Sequence, residues 1–307
     1  MGVGNFTSED WKNYATSSIN NKSTRQIYSS TGMKSEYSPK GVIRESCDSN
    51  DHPNSTPIII GLDVTGSMED ILHQVAKTLG DMVLEILDRK PVSDPQIMFN
   101  AIGDHDYDKC PLQVTQFESD IRIAKQLTDL WFEEGGGGNC FESYPLTWYF
   151  AANHTSCDNF KKRGKKGFIF TMGDDSYPKS ISKDDLIRIF GNSSEISKDL
   201  SVEEILTKAN REWEIFHLVL REGWNVQHGR NKDDVEKEWR QLLGERMIPV
   251  SDYTKIPQII VSILETMSGK SINEVVDSWD GSTAVVVREA IQGLTEKKET
   301  GELMEFN

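Results

Sequence analysis

The chain has 307 residues, enough for one large domain or two small ones. It carries 49 acidic against 34 basic residues, and a net charge of −15 argues against direct contact with a phosphate backbone. No stretch approaches 18 apolar residues, so an ordinary membrane span is excluded. The acidity fits cation binding, docking to a basic protein surface, or plain solubility. Hydrophobic content of 36% predicts that part of the chain is uncovered tail or loop.

Cys47, Cys110, Cys140 and Cys157 form no C-x-x-C pair, so neither a zinc knuckle nor a disulfide framework is indicated. The first six residues show no secretory pattern, and Phe6 stands where a myristoylation signal needs Ser or Thr. The five N-x-S/T sequons therefore read as accidental, and the expected address is the cytoplasm.

Residues 1–56 form a polar N-terminal extension whose apolar anchors are Tyr14, Ile27, Tyr28, Met33 and Tyr37. Such a segment is either disordered or laid over a neighbouring surface. From Pro57 strands and helices alternate. The run 58–63 reads as a buried strand, and 68–87 as a helix with an apolar stripe from Ile71 to Leu87 at spacings of three and four. Further strands are expected at 97–103, 112–117, 167–171, 214–220 and 247–250. Helices are expected at 121–132, 141–152, 184–190, 202–212, 233–243 and 256–267.

The basic cluster 161–166 reads as a solvated connection, and 269–307 as a C-terminal extension ending in a charged tail. The alternation predicts a doubly wound α/β domain over 57–268: a mainly parallel central sheet with helices on both faces. The Ile58–Asp63 strand should be central, because a continuous apolar strand needs cover on both sides.

Three acidic residues, Asp63, Asp104 and Asp174, fall at the carboxyl ends of strands, where such sheets build their sites. The Gly135–Asn139 loop should reach the same rim. Asp63, Thr65 and Ser67 place one carboxylate and two hydroxyls at alternate positions, with Gly66 allowing a sharp turn. An isolated D-x-T reads as a helix cap. The full D-x-T-x-S after an apolar strand reads as a hard-oxygen cradle for Mg²⁺, or for Mn²⁺ or Ca²⁺.

This pattern resembles the von Willebrand factor A family over roughly 57–268, a Rossmann-like fold. That family's metal-ion-dependent adhesion site uses a D-x-S-x-S loop, a Thr or Asp in a Gly-rich loop, and an Asp after the fourth strand. Asp63, Thr65 and Ser67 match the first element, with Thr for the first Ser, and Asp174 matches the last. The middle element departs: the run Gly135 to Glu142 has no Thr, which leaves Asn139 as first candidate and Glu142 as second. The Gly-rich loop followed by Glu looks like the bacterial and alpha-kinase-associated intracellular forms. The resemblance implies a binding module, often one working with an AAA+ ATPase or a larger assembly.

Three functional classes follow. The first, and the expected one, is a non-enzymatic protein-binding module whose divalent ion takes a partner's Asp or Glu. The second is a metal-dependent hydrolase of the phosphatase kind. It is weakened because Thr65 stands where such enzymes need a general acid. His105, among Asp104, Asp106 and Asp108, reads as a solvated loop residue before it reads as a base or metal ligand. The third is an assembly component whose cation only ties loops together.

Overall fold

The computed structural model describes residues 4–133, 139–194, 196–229 and 234–294, apart from the Ser67 side chain. Gly135–Gly138, Asp233 and the charged tail beyond 294 lie outside the described residues.

Six strands form the main sheet: β1 (Thr56–Asp63), β2 (Pro95–Ile102), β3 (Leu112–Val114), β4 (Gly167–Gly173), β5 (Trp213–Leu220) and β6 (Met247–Val250). Their order is β6-β5-β4-β1-β2-β3, parallel throughout except for β3, which runs antiparallel to β2 at the edge. The fold is thus α/β, with β1 inside the sheet between β4 and β2.

Why the runs Ile58–Ile60 in β1 and Phe168–Phe170 in β4 are apolar at every position follows from their cover. Alternate side chains of a strand point to opposite faces. Ile58, Ile60, Leu62, Phe168 and Phe170 enter one core, whereas Ile59 and Ile169 enter the other. The first core is closed by the helices Glu69–Arg89, Ile256–Met267 and Gly281–Ile291, the second by Pro145–Asn153, Val202–Ala209 and Val235–Leu243. The predicted stripe is the buried face of Glu69–Arg89, from Ile71 and Leu72 through Val75, Leu79, Met82 and Val83 to Ile86. Each such aliphatic side chain contributes on the order of 2 kcal/mol of burial.

The N-terminal segment is laid over this first core. Helix Ser8–Ser18 buries Trp11 and Ala15, and Phe6, Ile19, Ile27, Tyr28 and Tyr37 join them. Trp11 presses so closely on the long helix that a Cβ at Gly80 would lie 2.0 Å from its ring. The anchors read from the sequence omitted Phe6, Trp11 and Ile19. They are spaced among polar residues, and only the docked helix shows that they share a face. The C-terminal extension also packs in, through helices Ile272–Asp277 and Gly281–Ile291, which bury Val275, Val276, Val287, Ala290 and Ile291. The basic cluster is partly helical, ending Asp158–Arg163 at the left-handed Gly164 (φ 62°).

The expected strand 112–117 ends at Val114, the expected helices 121–132 and 202–212 end at Asp129 and Ala209, and a third expected helix, 141–152, starts late. It spans Pro145–Asn153, so Glu142 precedes it. The reason lies in the backbone: Glu142 N–H donates to the Ser176 carbonyl and Ser143 N–H to the Gly103 carbonyl, both 3.1 Å. These bonds strap residues 141–143 across the ends of β2 and β4 instead of into a helix. Among the described residues no helix is long and apolar enough to cross a membrane.

Candidate metal centre

Register brings the candidate acids together. β1 pairs with β2 so that Asp63 stands opposite Ile102, and with β4 so that Leu62 stands opposite Met172. Asp63, Asp104 and Asp174 therefore leave the sheet at one level. All three are fully buried, and Glu142 and Asp175 beside them are 5% and 7% exposed.

Asp63 Oδ1 accepts the Thr65 backbone N–H (2.9 Å) and the Thr65 hydroxyl (2.6 Å), while Oδ2 accepts the Tyr144 hydroxyl (3.0 Å). With its proton spent on Asp63, the Thr65 oxygen keeps lone pairs for a cation. Thr65 stands at the N-cap position of the short 3-10 turn Gly66–Met68, which leads directly into the long helix, but its side chain makes no capping bond to that turn. Ser67 lies in that turn, and its side chain is outside the described atoms.

Asp174 follows β4. Its Oδ2 accepts the Asn225 backbone N–H at 2.8 Å, and the Asn225 side-chain amide donates to Asp175 Oδ2 at 3.2 Å. Asp104 Oδ1 accepts the Asp106 N–H at 2.8 Å, but its Oδ2 has no hydrogen-bond partner, nor has Glu142 Oε2. Asn139 Nδ2 is buried on the Asp104 side of the centre, where its amide opposes the rise in the Asp104 pKa. The sequence therefore offered Asn139 and Glu142 as alternatives for one place, and the structure puts both at the rim.

Burial and mutual repulsion raise the pKa values of Asp63, Glu142 and Asp175 above their usual range. Desolvation, then the Asp174 charge, pushes Asp63 up to about 7. Desolvation, then Asp174 and Asp104, pushes Asp175 up to about 6. Glu142 is raised well above its ordinary value by desolvation, then by Asp63 and Asp104. No Lys or Arg pairs with Asp63, Glu142 or Asp175 among the described residues. Unpaired buried carboxylates are costly. Among the described residues, no three His, Cys, Asp or Glu side chains are placed to hold a metal by themselves. A D-x-T-x-S centre would draw on hydroxyls and water as well.

Sequence reading missed the layer beneath. Tyr144 is fully buried, its ring edge-on to His217 at 4.7 Å, and His217 stacks on Trp239 at 3.5 Å. Gly173 is required there, since a Cβ would stand 1.9 Å from the Tyr144 hydroxyl. Neither Tyr144 nor Asn225 belongs to a motif; only the fold brings them to Asp63 and Asp174. His105, by contrast, is tied down, with Nδ1 2.7 Å from Ser143 Oγ.

Comparison with protein-family profiles finds no match, and comparison with curated proteins finds none. Solved structures are similar in shape at low identity. Pilus adhesin SpaC from Lactobacillus rhamnosus GG aligns at 10% identity and TM-score 0.49, over 74% of this chain and 32% of that one. Its open conformation gives 11% and 0.47, over 74% and 31%. Proximal thread matrix protein 1 from the mussel byssus gives 10% and 0.43, over 72% and 48%. The chain thus spans about a third of the adhesin and about half of the byssus protein.

Proposed function

We propose that this chain is a metal-dependent protein-binding module of the von Willebrand factor A kind, working in the cytoplasm as an adaptor within a larger, AAA+ ATPase-linked assembly. The observation that carries the reading is the gathering of five buried carboxylates, two with unpartnered oxygens, at the strand ends from which the D-x-T-x-S turn leaves. That donor set fits a hard divalent ion such as Mg²⁺. Asp63, Thr65 and Ser67 would hold it directly, with Asp174 and either Asn139 or Glu142 supporting the shell.

When bound, the ion supplies an electrophilic position that a partner's Asp or Glu can fill. The residues of this chain do the rest. Tyr144 and the Thr65 amide orient the Asp63 carboxylate, Asn225 steadies Asp174, and the neutral hydroxyls leave charge on the ion for the partner to satisfy. Exposed Tyr107 and Trp224 flank the centre, each about 60% exposed, and aromatic side chains of this kind anchor protein interfaces.

The test is a pull-down from native cells with and without chelator, beside a calorimetric Mg²⁺ and Mn²⁺ titration of the full chain. Ion binding and chelator-sensitive capture are expected. Metal-dependent turnover of a phosphoester would replace this reading with a hydrolase. Capture indifferent to bound metal would replace it with a purely structural cation.

A further inference from the structure

At the opposite end of the sheet, where the strands begin, lies a cavity of about 570 Å³ bounded by Thr56, Arg163, Lys165, Lys166, Phe168 and Met267. It continues into a second of about 420 Å³ through shared Asn54, Val92 and Ser93. Together they form a trough along the N-terminal rim. We propose that this trough is a docking groove for an extended acidic peptide segment of a protein partner.

Charge is the first argument. The carboxylate along the larger cavity, Glu214, is paired with Arg246, whereas Asp94 in the smaller cavity accepts the Asn54 N–H at 2.7 Å and keeps its charge. Arg163 is a wall rather than a free cation, held by Asp48 at 2.8 Å and by the Ser55 carbonyl at 2.9 Å. Lys165 and Lys166 have no side-chain partner among the described residues, and Lys90 in the smaller cavity has none either. Asp51 and Asp94 are the opposing charges there. In a chain of net charge −15, two adjacent uncompensated lysines over a groove mark a local positive field.

The second argument distinguishes a peptide from a nucleic acid. Asn159 lines the larger cavity, is 3% exposed, and keeps an Oδ1 without a hydrogen-bond partner. An orphaned acceptor calls for a donor, which a peptide backbone supplies at almost every residue and a phosphodiester backbone does not. The exposed aromatic residues, Tyr107 and Trp224, do not border the trough, and Phe168 in its floor is only 8% exposed, so single-stranded bases would find little aromatic surface to stack on. The walls are instead short polar side chains over an apolar floor of Pro91, Phe168 and Met267.

Fluorescence anisotropy of the full chain with a labelled decapeptide of alternating Glu and Thr tests this, in EDTA so that no metal centre can capture the glutamates. Saturable binding is expected that weakens as salt screens it. Lys165→Glu with Lys166→Glu should weaken it by about tenfold or more, and Lys90→Glu by about threefold. Lys183→Glu, exposed on another helix, should leave it unchanged. All are surface changes, and melting curves check that the fold survives. The proposal is overturned by no binding, by equal affinity in the double reversal, by equal loss in Lys183→Glu, or by tighter binding of a ten-nucleotide thymidine strand.

Discussion

At the C-terminal ends of the strands, Asp63, Glu142 and Asp175 are buried against one another and against Asp174, with no Lys or Arg paired to them among the described residues. At the N-terminal ends, Asp48 holds Arg163 and Glu214 holds Arg246, and it is lysines that are left over. The same residue type therefore behaves in opposite ways. Hydrogen bonds from Arg163 hold the Asp48 carboxyl well below its usual range, whereas desolvation and Asp174 push Asp63 up to about 7. A carboxylate satisfied within the fold is structural. One whose counter-charge is missing stores unfavourable energy that a ligand can relieve.

The largest expected effect comes from removing the charge that should hold the ion. Asp63→Asn keeps an acceptor for the Thr65 N–H but loses the carboxylate, so divalent-ion affinity should fall about 100-fold or more while the fold persists. A calorimetric titration with Mn²⁺ that leaves affinity unchanged would return the D-x-T turn to a helix cap.

Acidity gives the second test. The folded pKa values of Asp63 and Asp175, about 7 and about 6, lie above that of an unfolded carboxyl, about 3.9. Their contribution to stability is therefore present below about pH 4 and lost as pH rises through 6 to 7. Metal-free protein should melt at a lower temperature at pH 8 than at pH 5. Excess Mg²⁺ should stabilise it most at pH 8, by about 2.7 kcal/mol at a hundred times Kd. Scanning calorimetry at both pH values with Mg²⁺ or EDTA checks the sign, and a metal effect larger at pH 5 would contradict it.

Tyr144→Phe removes one hydrogen bond to Asp63 Oδ2 and nothing else of size. About 1–2 kcal/mol is at stake, so ion affinity should weaken by about tenfold, measurable by the same titration. Thr65→Val and Asp174→Asn should each weaken the ion by less than Asp63→Asn does. On the other rim, Asp48→Asn should cost about 1 kcal/mol of stability by loosening Arg163. Ion affinity at the Asp63 rim should not change, and a coupled loss would show that the two rims are not independent.

The sequence by itself determined the sheet, because every-position apolar runs such as Ile58–Ile60 and Phe168–Phe170 need cover on both faces, and the 3.6-residue stripe of the long helix needs a core beneath it. It also determined the places where acids leave the strands, since Asp63, Asp104 and Asp174 each terminate an apolar run. Tertiary structure alone decided the rest. Glu142 lies outside its helix because its amide is drawn to Ser176, Trp11 counts as core because a helix docks against Gly80, and Tyr144 supports Asp63 from 81 residues away. Local pattern records burial and turn chemistry within one element. Which carboxylates end up without a counter-charge depends on register and packing between elements, which no single stretch of sequence contains.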